Sequence, residues 1–330
     1  MSALLLSFLS VFLLCIATAT LSVAFWLLSA ARRQKADTSL AGDQVRLAIA
    51  CGQLAHELQK ERGLSTAHAG RSGNDGDKTL DDQRAVVSAV STAFLAAAAR
   101  SLDRTTALAA PLERCRDALE TLPVLRQKVD GKAIAPPDVV EAYSAVVGQL
   151  LDLVRQIVRR TARGKVPTLG LAYINLITGK EYAGQERAVI NGALSRQVLT
   201  DADRSRMRGL SQSQTLYLGS FRDLADEEIA AKLHAAAASP AFREVEALRQ
   251  TLSRADAATA LPSPADWFKA ATARIDAFKQ LEDETAQRLL AASNRRQGSA
   301  ARSFRLSGAL SSAAALCLTV MTAVFVLHGS

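Results

Sequence analysis

Two stretches without a single charged side chain constrain this chain most, Met1–Ala31 at one end and Leu306–Leu327 at the other. About 20 consecutive apolar residues cross the hydrocarbon core of a bilayer as a helix, and both stretches reach that length. Core helices of water-soluble domains rarely run so far without a charge, so each stretch reads as a transmembrane helix. Ala17-Thr18-Ala19 looks like a weak cleavage site. No Lys or Arg precedes the apolar run, however, and the run outlasts the core of a signal peptide, which favours an uncleaved anchor. The expected division is a membrane helix over 1–31, a domain over 32–305, a membrane helix over 306–327 and a short tail over 328–330.

Every one of the 40 Lys+Arg and 32 Asp+Glu then lies between Arg32 and Arg305, and the net charge of +8 belongs to that intervening domain. Such a balance suits nucleic acid, anionic lipid or small anions. The basic residues are interleaved with acids, as on solvated helix faces. Aromatic residues make up only 5% of the chain, too few for a base-stacking surface. Nucleic acid is therefore not an expected partner. Arg32, Arg33 and Lys35 follow the first anchor, and Arg295, Arg296, Arg302 and Arg305 precede the second. The positive-inside rule places the domain in the cytoplasm, although long domains translocate largely regardless of charge.

The interior reads as helices. Alanine is abundant, period-two alternation is rare, and the eight prolines leave long uninterrupted stretches. The cleanest helix follows Pro136-Pro137. Val139, Tyr143, Val146, Val147, Leu150, Val154, Ile157 and Val158 recur there at three- and four-residue steps, forming one apolar stripe. Arg159, Arg160 and Arg163 close it, with Gly164 beyond. Further helices are expected over about 39–69, 80–102, 112–129 with a bend at Pro123, 167–198 and 240–252. Asp201 or Asp203 caps another, and a last one opens at Pro264 and continues into the second anchor. A loop is expected over 71–77. The fold class is all-α: one elongated helical bundle, or two stacked four-helix bundles sharing long helices, between two transmembrane helices.

Catalytic and metal signatures are not found. His56, His68, His234 and His328 lack metal-ligand spacing, and no phosphate loop, nucleophile elbow or kinase motif occurs. Asp81-Asp82 and Glu227-Glu228 point apart on a helix and read as solvated charge. Cys51 and Cys115 are either two small buried hydrophobes or a disulfide. No enzyme activity, cofactor or metal is expected.

Two short segments carry the functional signal. Gln59-Lys60-Glu61-Arg62-Gly63-Leu64-Ser65 and Gly184-Gln185-Glu186-Arg187-Ala188 each set Glu-Arg beside a small residue in mid-helix, 125 positions apart (187 − 62). The chain thus looks like two related halves, each opened by a long helix. Arg62 lies among Leu54, Leu58 and Leu64, and Gly63 weakens a helix unless something packs close to it. Two such arginines can converge on one anion, whose oxygens suit the planar, forked donors of guanidinium. Gln59, Ser65 and Asn191 share those helix faces as candidate supporting donors; the plainer reading of all three is ordinary polar side chains in contact with water.

These paired segments resemble the signatures of the nitrate- and nitrite-sensing (NIT) domain. The resemblance extends to Leu122-Pro123-Val124-Leu125-Arg126 with Val129-Asp130, to Tyr143, to Tyr217 through Phe221-Arg222, and to Trp267 with Ala273-Arg274-Ile275-Asp276. It covers most of 41–290. It implies an all-α sensor of the kind found in chemoreceptors, kinases, cyclases and RNA-binding antiterminators, with arginines forming the ligand pocket. The motif matches here are Arg62 and Arg187, with Arg274 a third candidate on a looser pattern. It also implies a domain outside the cytoplasm between two membrane helices, in conflict with the flanking charges. The expected function is a sensor at the cell inner membrane that passes helix movement to its anchors. Expected partners are nitrate or nitrite, a signalling protein in or at the membrane and a second copy of the chain. With three residues after the second anchor, the signal must pass to a partner, or the chain is a piece of a longer receptor. The competing expectation is a membrane-tethered helical scaffold that binds a protein partner and no small ligand.

Overall fold

Residues 3–70, 78–160, 165–254 and 261–329 are described by a computed structural model. The loop expected over 71–77 and the helix end expected at Arg163 and Gly164 fall outside them. The described residues form ten α-helices and one 3-10 turn, with no strand. In order they are α1 (Ala3–Gly70), α2 (Lys78–Leu102), α3 (Ala109–Glu120), α4 (Leu122–Asp130), α5 (Pro136–Arg160), α6 (Lys165–Ser195), α7 (Asp201–Leu224), α8 (Glu227–Ala237), α9 (Pro240–Arg254) and α10 (Pro264–Gly329). The all-α expectation holds. The order also repeats: a long helix bearing Glu-Arg, a second long helix, two short ones and a closing long helix, α1–α5 and then α6–α10.

Local chemistry explains where helices differ from expectation. The helix expected over 112–129 is two, because Pro123 occupies the first turn of α4, where its missing N–H costs nothing. The cap of α7 is Thr200 rather than Asp201 or Asp203. Its side chain accepts from the Asp203 backbone N–H, while the Asp203 carboxylate accepts from the Thr200 N–H at 3.0 Å, a reciprocal capping box. Helix α8 was not foreseen. Asp226 caps it by accepting from the Ile229 N–H at 3.1 Å, ahead of an alanine-rich run.

The chain divides into a unit of residues 43–291 and a second unit of residues 1–42 and 292–330. In the larger unit the α5 stripe is buried throughout, including Val139, Tyr143, Val147, Leu150, Val154 and Ile157. The second half has its own core, with Leu176, Phe221, Ile229, Phe278 and Leu281 in one cluster and Ile190, Met207, Val245, Leu252 and Trp267 in another. Cys51 and Cys115 are free thiols and both are buried. Burial pushes the Cys115 thiol up to about 12, and its Sγ donates to the Gln149 carbonyl at 3.3 Å.

In the smaller unit, Gln297 Nε2 donates to the Thr38 carbonyl at 3.2 Å, the Lys35 ammonium lies 4.9 Å from the centre of the Phe304 ring, and Ser311 Oγ donates to the Ala24 carbonyl at 3.3 Å. Phe12, Phe25, Trp26, Leu310 and Leu316 stand exposed. Among the described residues three helices are long and apolar enough to cross a membrane: α1 and α10, as expected, and also α2. Helix α2 is packed within the larger unit through buried Leu80, Val87 and Phe94, and Gln83 donates to the Glu57 carboxylate at 2.8 Å.

Candidate anion-binding site

Helices α1 and α6 lie alongside one another and run in the same direction. Gly52 faces Tyr173, Gln59 reaches Glu181, and Gly63 faces Arg187, so contacts advance together along both. Two glycines set the close approach. A Cβ at Gly184 would lie 2.6 Å from Arg62 Nη2, and one at Gly63 would lie 3.3 Å from Arg187 Nη2. Each glycine therefore makes room for the arginine of the other half.

In each Glu-Arg pair the two side chains part. The glutamates turn into their own halves as anchors. Glu61 is fully buried and takes a bidentate pair from Arg126 of α4, at 2.7 and 2.8 Å, plus the Tyr143 hydroxyl at 2.6 Å. Glu186 takes the matching pair from Arg249 of α9, at 2.7 and 2.5 Å, plus Gln214 Nε2 at 2.8 Å. Forked pairs of this kind fix helices firmly against one another. Burial first, then the charge of Glu61, pushes the Tyr143 phenol up.

The arginines turn toward each other. Arg62 Nη1 donates to Ser144 Oγ of α5 at 2.7 Å, and Arg187 Nη1 donates to Thr272 Oγ1 of α10 at 2.8 Å. Between them lies a cavity of about 470 Å³, lined by Arg62, Gly63, Gly184, Arg187, Asn191 and Phe268 among others. The Arg187 guanidinium sits 4.8 Å from the centre of the Phe268 ring, and Trp267 Nε1 donates to the Arg187 carbonyl at 3.0 Å.

The two arginines differ in charge compensation. Arg62, 1% exposed, donates from Nη1 to Glu181 Oε1 at 2.5 Å. The same carboxylate takes Gln59 Nε2 and Gln185 Nε2, each at 2.8 Å. Arg62 Nη2 is buried with no hydrogen-bond partner among the described residues. A buried unpaired N–H costs about 1–3 kcal/mol, a cost that a hydrogen-bond acceptor beside it would remove. Arg187 makes no ion pair with any described carboxylate. Burial, then the neighbouring Arg62 charge, brings its pKa down to about 10, so it stays charged at neutral pH.

The remaining expected site residues divide. Gln59 does not line the cavity and is committed to Glu181, whereas Asn191 does line it. Ser65 is fully buried on the other side, 3.2 Å from the Tyr143 hydroxyl. Arg274 is turned to the second half. Its Nη1 lies 3.9 Å from Glu186, and its guanidinium packs on the rings of Phe242 and Phe278. Burial, then Arg249, brings it down to about 10. Glu181, Ser144 and Thr272 are not evident from the sequence, because only long-range helix contacts, α1 with α6, α1 with α5 and α6 with α10, bring them to the arginines. Arg126 lay within the quoted resemblance, but its partner Glu61 is 65 residues away in sequence.

A second buried charge centre joins α6 to α10. Lys180 and Glu282, each 1% exposed, form an ion pair, and His56 Nδ1 lies 3.4 Å from the Lys180 ammonium. Burial first, then Lys180, pushes the His56 imidazole down to about 2, so it is neutral.

Residues 53–290 match the family described as nitrate and nitrite sensing. The chain is 28% identical over 272 residues to the "Nitrate regulatory protein" of Klebsiella oxytoca, covering 80% of this chain and 67% of that protein. Its fold is similar to that of the NasR transcription antiterminator, with a TM-score of 0.74 and 26% identity over 89% of this chain and 85% of that one.

Proposed function

The chain belongs to the nitrate- and nitrite-sensing (NIT) family, and we propose that it is a membrane-anchored receptor that binds nitrate or nitrite between Arg62 and Arg187. One observation carries this reading. A cavity of about 470 Å³ lies between two guanidiniums, one offering a buried unpartnered N–H and the other making no ion pair with a described carboxylate. A small planar anion supplies both the acceptors and the charge such a site lacks. The named relatives are regulators, which supports a signalling role rather than an enzymatic one.

The apolar ends of α1 and α10 support anchoring over 1–31 and 306–327, two passes through the inner membrane. The domain of 32–305 then faces away from the cytoplasm, the placement the family resemblance favours over the flanking charges. Arg62 shares α1 with the first apolar run, and Thr272, the Arg187 acceptor, shares α10 with the second. An anion that draws the two arginines together acts on both helices, and its preference for one arrangement supplies the energy for the shift. The signal passes to a protein at the membrane, with the receptor acting as a pair of copies.

Calorimetric titration of the chain in detergent micelles tests the binding step. Nitrate binds the natural chain, and Arg187→Ala removes binding while the unliganded melting temperature is kept. At a hundred times Kd, nitrate adds about 2.7 kcal/mol of stability to the natural chain. A folded sample that takes up no nitrate or nitrite at millimolar concentration overturns the proposal.

A further inference from the structure

We infer that Glu181 sets the valence of the anion this site accepts, restricting it to monovalent anions; this rests on the reading of the Arg62–Arg187 cavity as the anion site. Two guanidiniums meet there, and one carboxylate answers them. Glu181 neutralises Arg62 and is itself held by Gln59 and Gln185, all on α1 and α6. Arg187 is left with one positive charge uncompensated by any ion pair among the described residues. The negative charges that act on it are those of Asp276, exposed on α10, and Glu181 itself. Arg196, also at the cavity, is exposed and paired with Asp203 at 3.3 Å, where solvent screens it.

Charge must do the selecting because space does not. A water occupies about 30 Å³ of liquid, so a cavity of about 470 Å³ admits a tetrahedral dianion as readily as a planar monoanion. A monoanion cancels the surplus. Beside Arg62, which is 1% exposed, a dianion leaves a net negative charge where solvent does not reach, which is costly.

The repeat shows how the surplus arises. Glu181 lies six residues before Arg187, and the residue six before Arg62 is His56. The equivalent positions thus carry a carboxylate in one half and, in the other, an imidazole held neutral beside Lys180. A carboxylate at both would cancel the pocket's charge; one at neither would double it.

The test is nitrate against sulfate binding to the full chain in detergent at constant ionic strength, by titration and by anion-dependent melting. The natural chain prefers nitrate by at least about tenfold. Glu181→Gln raises the sulfate-to-nitrate affinity ratio at least about tenfold, because two positive charges then face the cavity. His56→Glu adds a second carboxylate at the equivalent position of the first half and lowers nitrate affinity at least about tenfold. If Glu181→Gln does not fold, His56→Glu decides. A natural-chain ratio near one, an unchanged ratio in Glu181→Gln, or an unchanged nitrate affinity in His56→Glu overturns this inference. Failure of the natural chain to bind nitrate at all instead overturns the anion-site reading beneath it.

Discussion

The two halves of this chain are built on one plan and differ where it matters. Both use the glutamate of Glu-Arg as a buried anchor for a forked arginine, Arg126 in the first half and Arg249 in the second. Both aim the arginine at a hydroxyl on the closing helix, Ser144 or Thr272. Among the described residues only the first arginine has a carboxylate partner. The scaffold around the arginines is therefore conserved between halves, while the charge balance at their meeting point is not. Shared anchors hold the helices; unequal partners make the pocket.

The sharpest way to break the comparison is to truncate each arginine in turn. Arg62→Ala strands Glu181 in the interior, and removing one partner of a buried pair costs about 3–5 kcal/mol. Arg187→Ala strands no carboxylate among the described residues, and its unliganded stability stays within about 1 kcal/mol of the natural chain. Thermal melts without anion separate the two; equal losses mean that Arg187 has a counter-charge after all. The glycines give the next largest contrast. Gly184→Ala drives a methyl to 2.6 Å from Arg62 Nη2, a guanidinium locked by Glu181 and Ser144, and costs about 1–3 kcal/mol. Gly63→Ala meets only the less firmly held Arg187 Nη2 at 3.3 Å, so its gain in helix propensity, up to about 1 kcal/mol, survives.

The smallest effect is one of pH. His56 titrates near 6.5 when unfolded and at about 2 when folded. Between those values the folded state binds fewer protons. Stability from this group is complete above about pH 6.5 and is lost as the pH falls below it. The loss by pH 5 is on the order of 1 kcal/mol after discounting for partial exposure. Melting curves from pH 7 to 5 should show it, and His56→Gln should flatten this part of the profile. An unchanged slope in the variant refutes the assignment.

Much of this was legible in the sequence because it is periodic or local. The α5 stripe, the apolar runs and the paired Glu-Arg segments are repeating or contiguous patterns that spacing alone exposes. Gly63 signalled a close approach, and Arg187 is what approaches. The break at Pro123 and the cap at Thr200 are local too, but neighbouring residues offered the same chemistry. The partners of the arginines were not legible. Glu181 meets Arg62 across 119 positions, and nothing in its own neighbourhood distinguishes it from a surface glutamate. Arg274 matched a pattern of Trp and Arg, but the side chain follows the rings of Phe242 and Phe278 rather than the cavity.

The unequal pair of Glu181 and His56 bears on why two halves are joined in one polypeptide. A pocket on the axis between identical subunits inherits every charge twice, so its total is always even. Such a pocket can be neutral or doubly charged, but it cannot match a singly charged guest. Fusing two copies of the plan into one chain frees each position to differ from its twin, and an odd charge at the centre becomes possible.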